Sequence, residues 1–344
     1  AYSIAKLFTG LEVVRLAEEG RIDLDEPLEN YVPEWPGMKY WEPSQPVTAR
    51  HLLAHRGGLP RNANFHPAGP VPLDDVLRLT VESMADGWAA RPAGTRYQYS
   101  NVGYNVLGRA IEIAREESFA VYMSYDALRD YGMDHSALFT GFLPPEARLA
   151  TGYTHRKGHY HPTERHDLNQ LASGNLFTSA ADLAAFMTTI LETTPGRDGP
   201  LSFASLRASY EPQFVTADDP ARTGLAWATS EDLAGELMVW HQGGDADANA
   251  VVALFPGSRT GVCLLSNCGS YEGVKLLQLA VDCLRAVRAH GGNESRGRAG
   301  TTEPPSDVPA PEQLTGRFVA YGELLAIKDV GGHPRADFGP ISLR

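Results

Sequence analysis

Three short segments carry residues suited to acyl chemistry. In Ser3-Ile4-Ala5-Lys6 a hydroxyl and an amine stand three positions apart, a spacing that sets both on one face of a helix. A serine needs a base, and a lysine serves as one when burial or a neighbouring cation lowers its pKa from about 10.4 toward neutrality. The first amides of that helix suit a developing oxyanion. Tyr99-Ser100-Asn101 follows Arg91-Pro92-Ala93-Gly94 and leads into a helical pattern, so its phenol is placed at a loop-to-helix junction. A phenol there accepts or relays a proton if cations depress its pKa, and Asn101 can bond both the lysine and a substrate carbonyl. His241-Gln242-Gly243-Gly244 closes a predicted strand, where small residues let a substrate backbone lie against the edge. The amide of Gly244 is then a second oxyanion donor.

Each of these has a plainer alternative. Ser3 reads as an N-cap, Lys6 as a solvated helix cation, Tyr99 as a core aromatic and His241 as a histidine satisfied by the backbone. Other clusters carry less. His155, His159, His161 and His166 suggest a metal, but Lys157-Gly158 between them marks a hairpin whose alternate residues face opposite sides. His51 and His55 lack a third ligand nearby and read as structural, and Asp245 and Asp247 as turn residues. Cys263, Cys268 and Cys283 allow at most one bridge. With no GxGxxG, P-loop, HExxH or GxSxG segment, no cofactor and no metal are expected.

The elements that must hold these groups are legible in outline. Helices are expected from Ser3 to Ala17, over 48–53, 73–85, 102–117, 119–131 and 178–191, and from Tyr271 to Ala289, with mostly loop between Pro27 and Pro46. After Gly224 short β-prone runs at Leu237–Trp240, Ala250–Phe255 and Gly261–Ser266 alternate with Gly-Gly-Asp and Pro-Gly-Ser turns, the pattern of an antiparallel meander. Residues 291–313 read as a linker, and 314–344 as β-like and too short to bury a core alone. The 344 residues are 43% hydrophobic and 21% charged, as in a folded globular chain. A net charge of −12 argues against nucleic acid as a partner, and no apolar run spans a bilayer. No signal peptide is read at the start, and the compartment and oligomeric state stay open.

The three segments, in this order, resemble the motifs of the penicillin-recognising serine hydrolases, in the branch of class C β-lactamases, D-alanyl-D-alanine carboxypeptidases, D-aminopeptidases and related esterases. Two companion stretches, Val47 to Pro60 and Ser173 to Leu183, strengthen the match, which covers roughly residues 1–290. The resemblance implies an α+β fold, an antiparallel sheet flanked by helices (about 220–290 with the first helix) beside a mainly helical part (about 25–190). The N-terminal strands of that sheet are expected to be missing ahead of Ser3, and Leu314-Thr315-Gly316-Arg317-Phe318 resembles the opening of a small appended β-barrel.

It also implies an acyl-enzyme. Ser3 attacks a carbonyl, Lys6 and Tyr99 share its proton, His241 joins the catalytic set, and the amides of Ser3 and Gly244 hold the oxyanion. Asn101, Gln242 and Gly243 bind substrate, a small ester, amide or peptide. His241 stands where many relatives carry the lysine of Lys-Thr-Gly, which weakens recognition of a carboxylate and favours esterase, amidase or D-aminopeptidase action over β-lactamase or strict carboxypeptidase action. Acyl transfer or cyclisation, as in penicillin-binding-type thioesterases, is the second enzymatic expectation. A non-catalytic acyl or peptide sensor is the third reading, and the joint presence of nucleophile and base argues against it.

Overall fold

A computed structural model describes residues 1–62, 72–85, 87–157, 159–164, 167–216, 219, 221–231, 235–269 and 277–285, together with the backbone of four strands between 316 and 343. The chain divides into two compact units, Ala1–Gly291 and Gly292–Arg344.

In the first unit, helix α1 (Ala5–Glu18) runs through the centre. From Ala5 to Val14 every one of its residues is buried, polar ones included, so it is enclosed on all sides rather than amphipathic. It packs against α4 (Asn101–Arg115), and the short α2 (Ala49–Leu53) and α3 (Val76–Glu82) pack on α4 in turn. Thr48 caps α2 in a reciprocal pair with His51, and Ser100 caps α4 through Gly103 N–H. The expected helix over 119–131 forms as α5 (Phe119–Tyr122) and α6 (Leu128–Asp130) around one π turn. A hairpin, β1 (Gly152–Arg156) and β2 (His159–Thr163), follows, then α7 (Leu171–Gly174), α8 (Ala180–Glu192) and α9 (Phe203–Tyr210). Sequence periodicity missed α7 and α9, whose small and serine-rich segments carry little pattern.

The sheet runs β3-β4-β5-β6, all antiparallel, with β3 Ala228–Glu231, β4 Leu237–Asp245, β5 Ala248–Phe255 and β6 Thr260–Ser266. Val239, Val252 and Leu254 join the α1 core on one face, and Met238, Val251, Ala253 and Phe255 meet Leu277 and Val281 of a helix at 277–285 on the other. Every residue of β5 is therefore buried, as expected for a strand covered on both faces. The meander differs from expectation at one point. Gly243, Gly244 and Asp245, taken as turn residues, continue the β4 ladder opposite Ala250, Asn249 and Ala248, and the turn shrinks to Ala246-Asp247. β3 pairs with β4 only as far as Trp240, so among the described residues the stretch 241–245 pairs with β5 as its only strand neighbour.

The histidine segment is the expected hairpin, with His155 opposite Tyr160 and His161 opposite Thr154, and His166 lies outside the described residues. The helix expected from Tyr271 to Ala289 is described only over 277–285. Among the described residues no helix is long and apolar enough to cross a membrane. The second unit is a four-stranded antiparallel sheet in the order β10-β9-β8-β7, formed by β7 (Gly316–Ala320), β8 (Glu323–Val330), β9 (His333–Phe338) and β10 (Ile341–Leu343).

Glycine at position 10 in the middle of α1 costs roughly 0.5–1 kcal/mol relative to alanine. Its use has a steric reason. A Cβ there overlaps the Ala226 methyl and lies 3.3 Å from Leu53. Gly10→Val is expected to destabilise the first unit by about 1–3 kcal/mol through overpacking, read as a lower Tm in calorimetry. An unchanged Tm contradicts the packing described.

Candidate active site

The site is assembled around the turn that precedes α1. Tyr2 bridges to Leu176, and the helix starts at Ala5 with Ile4 as its cap residue, so Ser3 stands just outside the helix and its hydroxyl caps nothing. Tyr2 adopts a left-handed φ of 49°, a conformation most side chains avoid, next to the candidate nucleophile. β4 presses on this turn. A Cβ on Gly243 would overlap Ala1 O and come within 2.8 Å of Ser3 N, so only glycine lets the strand approach.

Lys6 lies one turn in, wholly buried. Its Nζ is 3.1 Å from Ser3 Oγ and donates to the Ser173 carbonyl at 2.5 Å. It also lies 4.8 Å from the centroid of the Tyr99 ring and 5.7 Å from that of Tyr104. Burial, helped by the Arg61 guanidinium, holds this amine well below the usual lysine range. The tight link to Ser173 comes from a main-chain oxygen on α7, which no side-chain motif announces.

The Tyr99 phenol lies close enough to the Ser3 hydroxyl to be influenced by it. For the phenol to accept a proton, cations would have to depress its pKa. Burial instead pushes the phenol up to about 12, outweighing the Ser3 hydroxyl and the Arg61 charge, so it stays protonated at neutral pH. His55, which reads as structural in the sequence, holds this segment on both sides. Its Nδ1 accepts from Ser100 N–H at 3.1 Å, its carbonyl accepts from Gln98 N–H at 2.7 Å, and its ring lies 4.3 Å from that of Tyr99. Burial keeps the imidazole neutral, as an acceptor at Nδ1 must be.

His241 is buried, and its Nδ1 lies 2.7 Å from the Gln242 carbonyl, which makes Nδ1 the donor and leaves Nε2 as an acceptor. Burial and the nearby Lys6 pull its pKa down to about 3, so it carries no charge at neutral pH. Asn101 departs from expectation. Its Nδ2 donates to Asn62 Oδ1 at 2.8 Å, its Oδ1 is buried without a hydrogen-bond partner, and the Lys6 amine is bonded elsewhere. A cleft of about 400 Å³ is lined by Ser3, Tyr99, His241, Gln242, Gly243 and Gly244, with Arg61, Tyr97 and Asp245 at its sides. Lys6 sits beneath this surface, and Asn101 lies outside the lining. Among the described residues no group of three histidines, cysteines or acids is arranged to hold a metal.

The comparisons with known proteins agree with this architecture. Over 285 residues the chain is 27% identical to Protein flp of Staphylococcus aureus, an alignment covering 80% of this chain and 55% of that protein. It thus spans about half the length of the curated relatives it matches. The octameric penicillin-binding protein homologue from Pyrococcus abyssi superposes with a TM-score of 0.68 at 22% identity, covering 97% of this chain and 82% of that one. A D-stereospecific amidohydrolase from Streptomyces sp. superposes with a TM-score of 0.64 at 19% identity, covering 81% and 85%. The Beta-lactamase family profile matches residues 1–280, and the chain therefore belongs to the beta-lactamase family.

Proposed function

We propose that the chain is a serine hydrolase that works through an acyl-Ser3 intermediate on small esters and amides. The observation that carries the reading is the meeting of Ser3 Oγ with a buried, poorly solvated amine at 3.1 Å and with the Tyr99 phenol, at the wall of one open cleft. Lysine in this setting favours its neutral form, whose lone pair takes the serine proton as Oγ attacks the carbonyl carbon. The amides of Ser3 and Gly244 hold the oxyanion. Tyr99, being protonated, acts as a relay: it passes its proton to the departing group and takes one from the Lys6 ammonium. Water then repeats the cycle on the acyl-enzyme and frees Ser3.

His241, Gln242 and Gly243 form the wall along which the acyl group or peptide lies. Asn101 donates to Asn62 and its Oδ1 has no partner, so it does not bond Lys6. A neutral imidazole at 241 argues for ester, amide or D-peptide substrates over β-lactams, in keeping with the D-stereospecific amidohydrolase among the structural neighbours.

A fluorophosphonate probe is expected to label Ser3, and Ser3→Ala to abolish both labelling and nitrophenyl-ester turnover. Lys6→Met and Tyr99→Phe are each expected to lower kcat by about 10²–10⁴-fold. Labelling at another residue, or full activity in Ser3→Ala, overturns the reading, and stoichiometric labelling without turnover favours the sensor. With a thioester and an added amine, free acid as the sole product fits hydrolysis, whereas an amide product identifies acyl transfer.

The pH dependence has a definite sign. Because the base must be unprotonated, kcat/KM rises with pH through the Lys6 pKa and falls as the amine is protonated. His241, with its pKa down at about 3, contributes no limb between about pH 5 and 8. The low-pH limb should therefore keep its position in His241→Asn, measured on a neutral ester. A shift of that limb would mean that the imidazole titrates with activity.

A further inference from the structure

Among its described residues the cleft holds one cationic side chain that the acyl-transfer reading does not use. Arg61 lines it directly, with its guanidinium carbon 5.1 Å from the centroid of the Tyr99 ring. Lys6 reaches the same ring at 4.8 Å from beneath the surface, fully buried, whereas Arg61 is exposed. Among the described residues no carboxylate pairs with this guanidinium. The other arginines that lie near buried groups are committed: Arg56 to Asp219, Arg109 to Glu34 and Arg115 to Glu12.

Two further features set its role. The remaining described wall residues are polar or apolar without positive charge, since His241 is neutral. The single acid among them, Asp245, is exposed and accepts from the neighbouring Ala246 N–H. The backbone of Arg61 is also fixed, because its carbonyl accepts from Asn101 N–H at 2.8 Å and so ties it to the first turn of α4. Its Cα is thus anchored beside Tyr99 while the planar head faces the cavity. A guanidinium presents a fork of donors that matches a carboxylate in bidentate fashion.

We infer that Arg61 is a specificity-determining residue that selects substrates bearing a carboxylate near the scissile ester or amide, a task for which position 241 supplies no cation. The inference rests on the acyl-Ser3 reading for the location of the scissile bond. At a net charge of −12 the long-range field repels anions, so any preference for an anionic substrate must arise from a local contact.

Two matched pairs of esters test it on the full chain. Nitrophenyl hydrogen adipate against nitrophenyl methyl adipate places the charge on the acyl side. Acetoxybenzoate against methyl acetoxybenzoate places it on the leaving group. The quantity read is the kcat/KM ratio of the charged to the uncharged member, in wild type and in Arg61→Gln, Arg61→Lys and Arg61→Glu.

For at least one pair the ratio is expected to fall by about 10–100-fold in Arg61→Gln, to recover in part in Arg61→Lys, and to drop further in Arg61→Glu. Because intrinsic reactivity and any general damage enter both members alike, the change in ratio isolates the contact. A ratio that does not change in either pair overturns the assignment of Arg61 while the neutral esters are still turned over. Absence of turnover and of Ser3 labelling with every ester overturns the acyl-Ser3 reading itself, and with it this one.

Discussion

A primary amine without water is the constraint around which this molecule is organised. An ammonium ion buried as completely as Lys6 loses its hydration and has, among the described residues, no carboxylate to replace it, so the balance tips toward the free base. Two contacts keep that amine useful. The Ser173 carbonyl takes one of its hydrogens and fixes its direction, and Ser3 Oγ stands at the remaining position. Had an acid been placed nearby, the same lysine would be a structural cation. The nearest buried acid on the same helix, Glu12, is turned the other way, toward Arg115 and Tyr122.

The rest of the fold follows from enclosing that amine. α1 must be covered on all sides for Lys6 to be dry, which is why polar positions such as Thr9 are buried with it and find partners, Thr9 through the Ala172 carbonyl. The helices close two flanks and the sheet a third. The sheet can approach Ser3 only where β4 lacks side chains, at Gly243. Tyr99 is then delivered from the opposite direction by a segment that His55 grips through the residues before and after it.

Much of this is written in the order of the residues, because the chemistry depends on local spacing. Ser3 and Lys6 are one helical turn apart, and α4 and α8 carry their periods openly, whereas α1 and β5, buried on all sides, show as apolar stretches bounded by turn residues. What escapes is of three physical kinds. Main-chain groups, such as the Ser173 carbonyl, leave no trace in side-chain patterns. Glycine pairs signal turns, yet Gly243 and Gly244 stay in the ladder: the turn at Ala1–Ile4 occupies the space a Gly243 side chain would fill, and Asn249 occupies that of Gly244. Competing influences on one group cannot be ranked without coordinates: burial pushes the Tyr99 phenol up more strongly than the Ser3 hydroxyl and the Arg61 guanidinium draw it down. The bonding of Asn101 to Asn62 is of this last kind, since Asn62 Oδ1 accepts from both Asn101 and Gln170.

The early end of β3 has one more implication. From His241 to Asp245 the strand is paired with β5 on one side, and among the described residues no strand pairs with the other side, where the Gln242 carbonyl already accepts from His241 Nδ1. A guest that docks there completes a ribbon, held through features every amide polymer shares. Such a grip is indifferent to the identity of the guest's own substituents. Discrimination must then be exercised by the few groups standing at the doorway, and changing those groups would retune the catalogue of accepted molecules without rebuilding the machinery behind them.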